Sequence, residues 1–219
     1  RLFFASRSVT RPDRLKAFTP ATINHVVIVG GGLMGAGIAA ASLAAGHRVT
    51  LLERDTESAE AGRGRVEDII AKDLASGRIT EDKAKARRAN LAAGANYAAA
   101  FDADIAIEAV FEDPEVKRAV FAQLAAVMSP EALIATNTSY LDPNLISEGM
   151  HFFSPANIMK LVEVVGTSAT ADQTMATAFA FARGLGKIPV ETGVCDGFIG
   201  NRILSAYRRQ ADYMVADGA

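Results

Sequence analysis

Three glycines and a carboxylate have the types and the spacing that can hold a dinucleotide. Gly30, Gly32 and Gly35 follow the apolar run HVVIV and open an alanine-rich stretch of helical composition. A glycine-rich turn between a strand and a helix lets backbone N–H groups and the positive helix end approach a pyrophosphate. Glu53 ends the next apolar run, where its carboxylate can accept hydrogen bonds from the adenosine ribose and repel a 2′-phosphate. The pattern predicts NAD as cofactor, although the neighbouring Arg54 leaves NADP open.

A histidine and a second carboxylate have the types that general-base catalysis on an alcohol requires. His151 lies in the strand-like run MHFFS, and Glu163 lies twelve residues later in the run KLVEVV. Oxidation of an alcohol needs a base within reach of the hydroxyl and a partner that orients the base. A purely structural role for a histidine in a strand is the alternative. The other two histidines, His25 and His47, precede the first two strands and are expected to be surface residues away from the cofactor.

The composition indicates a folded protein with no overall charge preference. Of the 219 residues, 50% are hydrophobic and 22% are charged, and the formal net charge is -2. This balance excludes a disordered chain and gives no drive towards nucleic acid. The uncharged segment 26–46 contains six glycines, which argues against a membrane span. The single Cys195 allows neither an intrachain disulfide nor a thiolate zinc cluster, so we expect no metal and a cytoplasmic location.

The order of apolar runs and helical stretches predicts an α/β protein with a Rossmann-type, doubly wound and mostly parallel sheet. Residues 57–90 are rich in charges of both signs and predict an inserted helical pair, broken near 75–80. We expect a linker over 1–22, an NAD-binding domain over 23–192 and the start of an all-helical domain over 193–219. The expected strands are 25–30, 48–53, 104–110, 132–138, 150–154, 160–165 and 187–192, and the other expected helices of the domain are 33–45, 114–128 and 171–185.

Two further expectations concern parts of the protein outside these elements. An apolar stripe in the last helix needs a partner, which is either further chain or a second subunit, as in a homodimer. After NTSYLD forms a loop, only residues 143–149 remain for the crossover from 132–138 to 150–154, fewer than the roughly 10 to 12 residues that parallel neighbours require. We therefore expect residues of the natural chain to be absent between Glu148 and Gly149.

Five segments carry a family resemblance, in the order VGGGLMGAGIA, IEAVFEDPEVK, ATNTSYLD, GMHFFSPANIMKLVEVV and CDGFIGNR. Over about residues 23–219 they resemble the L-3-hydroxyacyl-CoA dehydrogenases. HFFSPAN and NTSYLD are most similar to the dehydrogenase part of multifunctional fatty-acid oxidation proteins, and RLFFASR resembles the segment that joins it to an enoyl-CoA hydratase. The resemblance implies NAD-dependent oxidation of an L-3-hydroxyacyl-CoA to a 3-ketoacyl-CoA in β-oxidation. A dehydrogenase of a free hydroxy acid and a non-catalytic dinucleotide-binding protein are the alternatives.

The resemblance also implies roles for single residues. His151 would take the proton of the substrate C3 hydroxyl, and Glu163 would orient His151 and stabilise its imidazolium. Ser139 and Asn201 would hydrogen-bond the substrate oxygen and the thioester region. The residues implied in cofactor binding are Gly30, Gly32, Leu33, Met34, Gly35, Glu53, Glu112 and Lys117.

For two sets of charged residues, the sequence allows an alternative interpretation. Glu112 and Lys117 match positions that face the nicotinamide in this family, and a solvent-exposed pair at the start of a helix is the alternative. For the phosphates of an acyl-CoA substrate, the candidates in the inserted helices are Arg63, Arg65 and Lys72. Their alternative is a solvated charged face.

Overall fold

The structure, a computed structural model, describes residues 9–10, 12–139 and 148–218, with an eight-stranded sheet at their centre. The strands are β1 His25–Val29, β2 Arg48–Leu52, β3 Leu91–Gly94, β4 Ile105–Glu108, β5 Leu133–Thr136, β6 Glu148–Phe152, β7 Leu161–Val165 and β8 Ile188–Thr192. The α-helices are α1 Leu33–Ala44, α2 Thr56–Ala75, α3 Glu81–Ala89, α4 Pro114–Val127, α5 Asp172–Gly184 and α6 Gly200–Ala216. Short 3₁₀-helices cover Asp13–Ala17 and Tyr97–Ala100.

The strand order β3-β2-β1-β4-β5-β6-β7-β8 is that of a doubly wound sheet. Neighbours from β3 to β6 are parallel, β6 and β7 are antiparallel, and β7 and β8 are parallel. The chain leaves β1 towards β2 and β3 and returns to β4 on the other side, so the winding reverses between β1 and β4. Ligands of such sheets bind outside the carboxyl ends of the strands at this reversal. The expected Rossmann-type, mostly parallel sheet is confirmed.

Strand β1 is buried on both faces of the sheet. Val26 and Ile28 pack into a core cluster with residues of α1, α2 and α5. Val27 and Val29 point to the opposite face and pack with residues of α4. Because side chains alternate along a strand, an uninterrupted apolar run is typical of a strand covered on both sides. Full burial of one such side chain contributes about 1.5–3 kcal/mol.

The inserted helical pair is present as α2 and α3, as expected. Asp55 caps α2 by accepting a hydrogen bond from the backbone N–H of Ser58 at 2.7 Å. Thr80 caps α3, and Gly77 between the two helices adopts a left-handed φ of 70°. The sequence analysis did not predict β3, which follows α3, because its sequence LAAG has low strand propensity. Strand β3 forms because it pairs with β2.

His25 is buried in the sheet, so the expectation of a surface histidine is wrong. It begins β1, which lies between β2 and β4. Its Nδ1 lies 2.9 Å from a carboxylate oxygen of Asp102, and its Nε2 lies 2.8 Å from Oγ1 of Thr50. Because both ring nitrogens are hydrogen-bonded, the polar ring can occupy a central strand. His47 is half-buried, and burial lowers its pKa.

Strand β6 is continuous across the bond at which a break was expected. Glu148 and Gly149 pair with Ala135 and Thr136, two consecutive residues of β5. The expected absence of residues between Glu148 and Gly149 remains a prediction. Most of the short crossover, residues 140–147, lies outside the described residues.

The described part of the expected linker is fixed to the sheet domain. Leu15 is buried, and Arg14 forms ion pairs with Asp172 of α5 and Glu191 of β8. The side-chain amide of Gln173 donates to the carbonyl of Thr19 at 2.7 Å. The segment is thus ordered by packing on α5, and the domain boundaries given above remain predictions.

The last helix, α6, begins at Gly200 and exposes its apolar stripe. None of its residues is buried, and Ile203, Tyr207 and Val215 are among its exposed apolar side chains. The partner of this stripe therefore remains a prediction. Across the described ranges, no helix is both long and apolar enough to cross a membrane.

Candidate functional site

The turn between β1 and α1 has the backbone shape that its glycines predict. Gly30 has a left-handed φ of 100°, and a Cβ there would lie 2.7 Å from the carbonyl oxygen of Ala109. Its N–H donates to the carbonyl of Leu52 at 2.8 Å, which ties the turn to β2. A Cβ on Gly35 would lie 1.8 Å from the carbonyl oxygen of Gly30, so only glycine allows α1 to start this close to the strand.

Gly32 is the N-cap residue of α1 and faces open space. A Cβ on Gly32 would have no atom of the described residues within 4 Å, apart from its chain neighbours. The first N–H groups of α1 have no partner within the helix, and the positive end of the helix dipole lies here. The loop therefore offers the cradle that a pyrophosphate requires.

A cleft runs along the carboxyl ends of the strands on both sides of the glycine loop. Its larger cavity, of about 810 Å³, is lined by Gly30, Gly32, Leu33 and Glu53 among others. A second cavity, of about 390 Å³, contains Glu112, Asn137 and Ser139. The two cavities share the lining residues Met34, Ala109, Val110 and Phe111. Their volumes lie in the range of ligand pockets, and their succession suits an extended ligand such as a dinucleotide.

Glu53 lines the larger cavity and already holds the glycine loop. Its Oε1 accepts a hydrogen bond from the N–H of Gly31 at 2.7 Å. Its Oε2 lies 3.3 Å from the backbone nitrogen of Arg54. Nearby, Tyr97 is half-buried, and its pKa is raised by burial and by the carboxylates of Glu53 and Glu108. The sequence analysis missed the contact with Gly31, and the expected ribose contact of Glu53 remains a prediction.

Lys117 and Glu108 form a buried ion pair beside the second cavity. Both side chains are fully buried, and Nζ of Lys117 lies 2.8 and 2.9 Å from the two carboxylate oxygens of Glu108. Glu108 also accepts hydrogen bonds from the N–H of Val110 and from Oγ1 of Thr136, both at 2.7 Å. The alternative of a solvent-exposed pair at the helix start is therefore wrong for Lys117, and Glu108 is a site residue that the sequence analysis missed.

Glu112 connects this ion pair to the turn that carries Ser139. Its carboxylate lies 3.3 Å from Nζ of Lys117. It accepts hydrogen bonds from Oγ1 of Thr138 and, at 3.0 Å, from the backbone N–H of Ser139. The carboxyl ends of β4 and β5 and the start of α4 are thus joined in one charged network at the cleft. Contacts of Glu112 and Lys117 with a nicotinamide remain predictions.

His151 and Glu163 form a buried pair on adjacent antiparallel strands. They are direct partners in the register of β6 and β7, so their side chains lie on the same face of the sheet. Nδ1 of His151 lies 2.7 Å from Oε2 of Glu163, and the two residues are 3% and 1% exposed. The second ring nitrogen, Nε2, lies 3.3 Å from Oγ of Ser139. The expected base, its partner and Ser139 are therefore brought together.

The surroundings of Glu163 decide its charge. Burial raises its pKa, but hydrogen bonds from His151 and from the N–H groups of Gly200 and Ile199 more than offset burial, so the pKa is lowered. The N–H groups of Ile199 and Gly200 donate to Oε1 at 2.9 and 2.8 Å, at the positive end of α6. An ionised carboxylate only accepts, so Nδ1 of His151 donates to Glu163, and Nε2 is the nitrogen that faces Ser139.

Two phenylalanines enclose His151. The ring centroids of Phe153 and Phe198 lie 4.5 and 5.5 Å from that of the imidazole. A Cβ on Gly200 would lie 2.6 Å from the ring of Phe153, so a larger residue where α6 begins would have to displace that ring. Asn201 follows in the first turn of α6 and is half-buried; its expected contact with substrate remains a prediction.

The three residues expected to bind CoA phosphates differ in their contacts. Arg63 forms an exposed ion pair with Glu60. Nη1 of Arg65 donates to the carbonyl of Gly31 at 3.0 Å, so this side chain faces the glycine loop. Lys72 lies in the last turn of α2. Among the described residues, no group of three His, Cys, Asp or Glu side chains is arranged to hold a metal ion.

We expect Glu163→Gln to reduce the acid sensitivity of the fold. The folded-state pKa of Glu163 lies below its ordinary value of 4.5, so its ionised form stabilises the protein above that pH. This contribution is lost as the pH falls through the folded-state pKa. Urea unfolding between about pH 7 and pH 3 measures it. A variant whose free energy of unfolding falls with acid as steeply as that of the wild type would contradict the assignment.

Known proteins share this arrangement. A family model described as 3-hydroxyacyl-CoA dehydrogenase, NAD binding domain, matches residues 25–195. The glyoxysomal fatty acid beta-oxidation multifunctional protein MFP-a of Brassica napus is 34% identical over 99% of this chain and 31% of its own length. The solved (S)-3-hydroxybutyryl-CoA dehydrogenase PaaH1 from Ralstonia eutropha is 30% identical, with a TM-score of 0.85 over 90% of this chain and 73% of its own. The dehydrogenase part of multifunctional enzyme 1 from C. elegans is 31% identical, with a TM-score of 0.74 over 82% and 43%.

The chain spans about a third of the length of the curated relatives it matches. The alignment with the Brassica napus protein has 228 positions against 219 residues here, so at least nine positions have no counterpart in this chain. The family match includes the glycine loop, the buried ion pair, and His151 with Glu163. The chain therefore belongs to the family of 3-hydroxyacyl-CoA dehydrogenase NAD-binding domains, and its cofactor is NAD.

Proposed function

We propose that the protein to which this chain belongs oxidises an L-3-hydroxyacyl-CoA to a 3-ketoacyl-CoA with NAD, as a step of fatty-acid β-oxidation. The observation that carries the proposal is the buried pair of His151 and Glu163, which holds Nε2 of His151 3.3 Å from Oγ of Ser139. A domain that only binds a dinucleotide has no need for an oriented base at the end of its cleft.

His151 acts as the general base in this proposal. The C3 hydroxyl of the substrate gives its proton to Nε2 while a hydride leaves C3 and the C3–O bond becomes a carbonyl. The imidazolium that forms is stabilised by Glu163, 2.7 Å from Nδ1. Phe153 and Phe198 exclude water from two sides of the ring, which strengthens this charge interaction.

Ser139 positions the reacting oxygen. Its Oγ lies within hydrogen-bond distance of Nε2, so an oxygen bound at this point can contact both groups. The turn that carries Ser139 is fixed through its N–H by Glu112. Asn201, the second residue of α6, is assigned to the thioester region of the substrate because the family resemblance implies this contact.

NAD would lie along the two connected cavities. The glycine loop and the start of α1 would hold the pyrophosphate, Leu33 and Met34 would contact it from the first turn, and Glu53 would bind the adenosine ribose. When bound, NAD supplies the acceptor for the hydride. Glu112 borders the second cavity, where the nicotinamide would lie, and Nζ of Lys117 lies 3.3 Å from the Glu112 carboxylate.

The activity is tested with the full-length protein, NAD and L-3-hydroxybutyryl-CoA, by following the absorbance of NADH. We expect turnover with the thioester, much less with the D-enantiomer, and none with free 3-hydroxybutyrate. Turnover of the free acid alone would favour the alternative of a hydroxy-acid dehydrogenase. NAD binding without any turnover, also with longer acyl chains, would contradict the proposal.

We expect Glu53→Ala to change cofactor preference. Loss of two charged hydrogen bonds to the ribose should weaken NAD binding by roughly 10- to 100-fold. Removal of the negative charge should also improve the use of NADP relative to NAD. The substitution also removes the acceptor of the Gly31 N–H and can loosen the glycine loop. Such loosening would weaken the binding of NAD and NADP equally. The ratio of KM values for NADP and NAD therefore separates the two effects, and an unchanged ratio would contradict the ribose assignment.

The partners follow from the same proposal. The substrate is an acyl-CoA, and the curated relatives named multifunctional proteins favour fusion to, or association with, an enoyl-CoA hydratase part. A homodimer would cover the exposed stripe of α6. Analytical ultracentrifugation of the full-length protein separates the monomer from the dimer.

The cytoplasmic location also remains a proposal. The single Cys195 favours a reducing compartment, whereas two relatives are named glyoxysomal and peroxisomal. Fluorescence microscopy of the tagged full-length protein distinguishes the cytoplasm from such an organelle.

A further inference from the structure

The inserted helix α2 contacts the glycine loop through a pair of glycines. A Cβ on Gly31 would lie 2.8 Å from Cα of Gly62, and a Cβ on Gly62 would lie 3.0 Å from Cα of Gly31. Leu51 of β2, which is fully buried, closes the third side, with its Cδ2 2.8 Å from the Cβ position of Gly62. Backbone therefore packs directly on backbone between α2 and the loop, and a larger residue at either position must displace its neighbours.

The peptide groups on both sides of Gly31 are held by different elements. The N–H of Gly31 donates to Oε1 of Glu53, at the end of β2, at 2.7 Å. The carbonyl of Gly31 accepts a hydrogen bond from Nη1 of Arg65 at 3.0 Å. Arg65 lies one helical turn after Gly62, so the close contact and the hydrogen bond come from the same face of α2.

The hydrogen bond from Arg65 also sets the direction of the next N–H group. The carbonyl of Gly31 and the N–H of Gly32 belong to one planar trans peptide, in which the two bonds point in opposite directions. Because Arg65 draws the carbonyl towards α2, the N–H of Gly32 points away from α2. Gly32 lines the larger cavity.

We propose that Gly62 and Arg65 are positioning residues for the coenzyme. Helix α2 fixes the peptide between Gly31 and Gly32 so that its N–H is directed at the pyrophosphate before NAD binds. The inserted helical pair is thereby part of the NAD site, although it lies outside the strand, turn and helix that carry the glycine signature. The inference rests on NAD binding and is independent of the proposed dehydrogenase activity, so its test measures NAD affinity.

Two glycines of α2 provide a matched test in the full-length protein. Gly62→Ala places a methyl group against Gly31 and Leu51, and we expect it to raise the Kd for NAD at least about tenfold in isothermal titration calorimetry. Gly64→Ala makes the same chemical change two residues later, where a Cβ would meet no other described atom within 4 Å. We expect Gly64→Ala to keep the Kd within about twofold and not to lower the Tm, because alanine favours the helix.

Arg65→Met tests the proposal by a second route that adds no bulk. It removes the hydrogen bond to Gly31, and we expect it to raise the Kd for NAD about fivefold. Removal of the attraction between the Arg65 charge and the pyrophosphate would also raise the Kd for NAD. Salt at about 1 M screens this attraction to a range of about 3 Å. A positioning role predicts that Arg65→Met raises the Kd for NAD by the same factor at about 0.1 M and about 1 M salt.

The outcomes that overturn the proposal are specific. Equal Kd values for Gly62→Ala and Gly64→Ala would show that the close contact does not affect the coenzyme. A loss in Arg65→Met that disappears at high salt would show that Arg65 acts only through its charge. If Gly62→Ala does not fold, the Arg65→Met result decides alone.

Discussion

We expect the His151→Gln variant of the full-length protein to lose at least about 100-fold in kcat, because removal of a general base typically costs 10²–10⁴-fold. Glutamine keeps a polar side chain of similar size but has no nitrogen lone pair that can take the proton of an alcohol. The proton acceptor, Nε2, faces Ser139, whereas the glycine loop lines the larger cavity. NAD affinity should therefore remain within about twofold of the wild type. Steady-state kinetics with L-3-hydroxybutyryl-CoA and calorimetry with NAD measure the two quantities.

A matched control separates loss of the base from loss of packing. Phe153→Leu leaves His151 and Glu163 in place while it changes one of the rings beside the imidazole. We expect a smaller loss of kcat than in His151→Gln, with the fall of kcat towards acid pH that a general base causes still present. Unchanged turnover in His151→Gln would remove His151 from the mechanism.

The second large effect is expected from Lys117→Met. Both members of the Glu108–Lys117 pair are fully buried, and breaking a buried pair by removing one partner typically destabilises a protein by about 3–5 kcal/mol. Methionine fits the space of the lysine stem but leaves the carboxylate of Glu108 without its cation. The free energy of unfolding from urea titration measures the loss.

Two controls make this prediction specific. Arg118, the next residue in α4, forms an exposed ion pair with Glu115, so Arg118→Met should cost at most about 1 kcal/mol. The double variant Glu108→Gln with Lys117→Met removes both charges and should recover part of the stability, because no uncompensated charge remains. Equal stability of Lys117→Met and Arg118→Met would contradict the account of a buried pair.

The sheet could be predicted from the sequence because its strands are apolar on both faces. Residues 26–29 of β1 are an uninterrupted apolar run, VVIV, and short runs of this kind between helical stretches are typical of a covered parallel sheet. The strand LAAG was missed, because its order comes from pairing with β2 rather than from its own residues. The surface expectation for His25 failed for a related reason, since its burial depends on the strands to either side.

Within the candidate site, His151 and the partner that orients it were found, whereas residues whose role depends on packing between distant segments were not. His151 and Glu163 could be paired from their residue types and from the strands on which they lie. Glu108, in contrast, lies within an apolar run, and its partner is nine residues later on a helix, so only the packing of α4 on β4 brings the charges together. Gly62 has no sequence signal at all, because its role depends on the backbone of Gly31.

The close contact between Gly31 and Gly62 limits how this domain can be recombined with its relatives. A chimera that takes only β1, α1 and β2 from another dinucleotide-binding protein, about residues 25–53, would place a foreign loop against the native α2. The backbones of the two segments touch at one point, so their shapes must match as one unit. Exchange through residue 65 would move the loop together with both of its contacts from α2. The smallest exchangeable module of this fold is therefore longer than its glycine motif, and it ends inside the helix that follows β2.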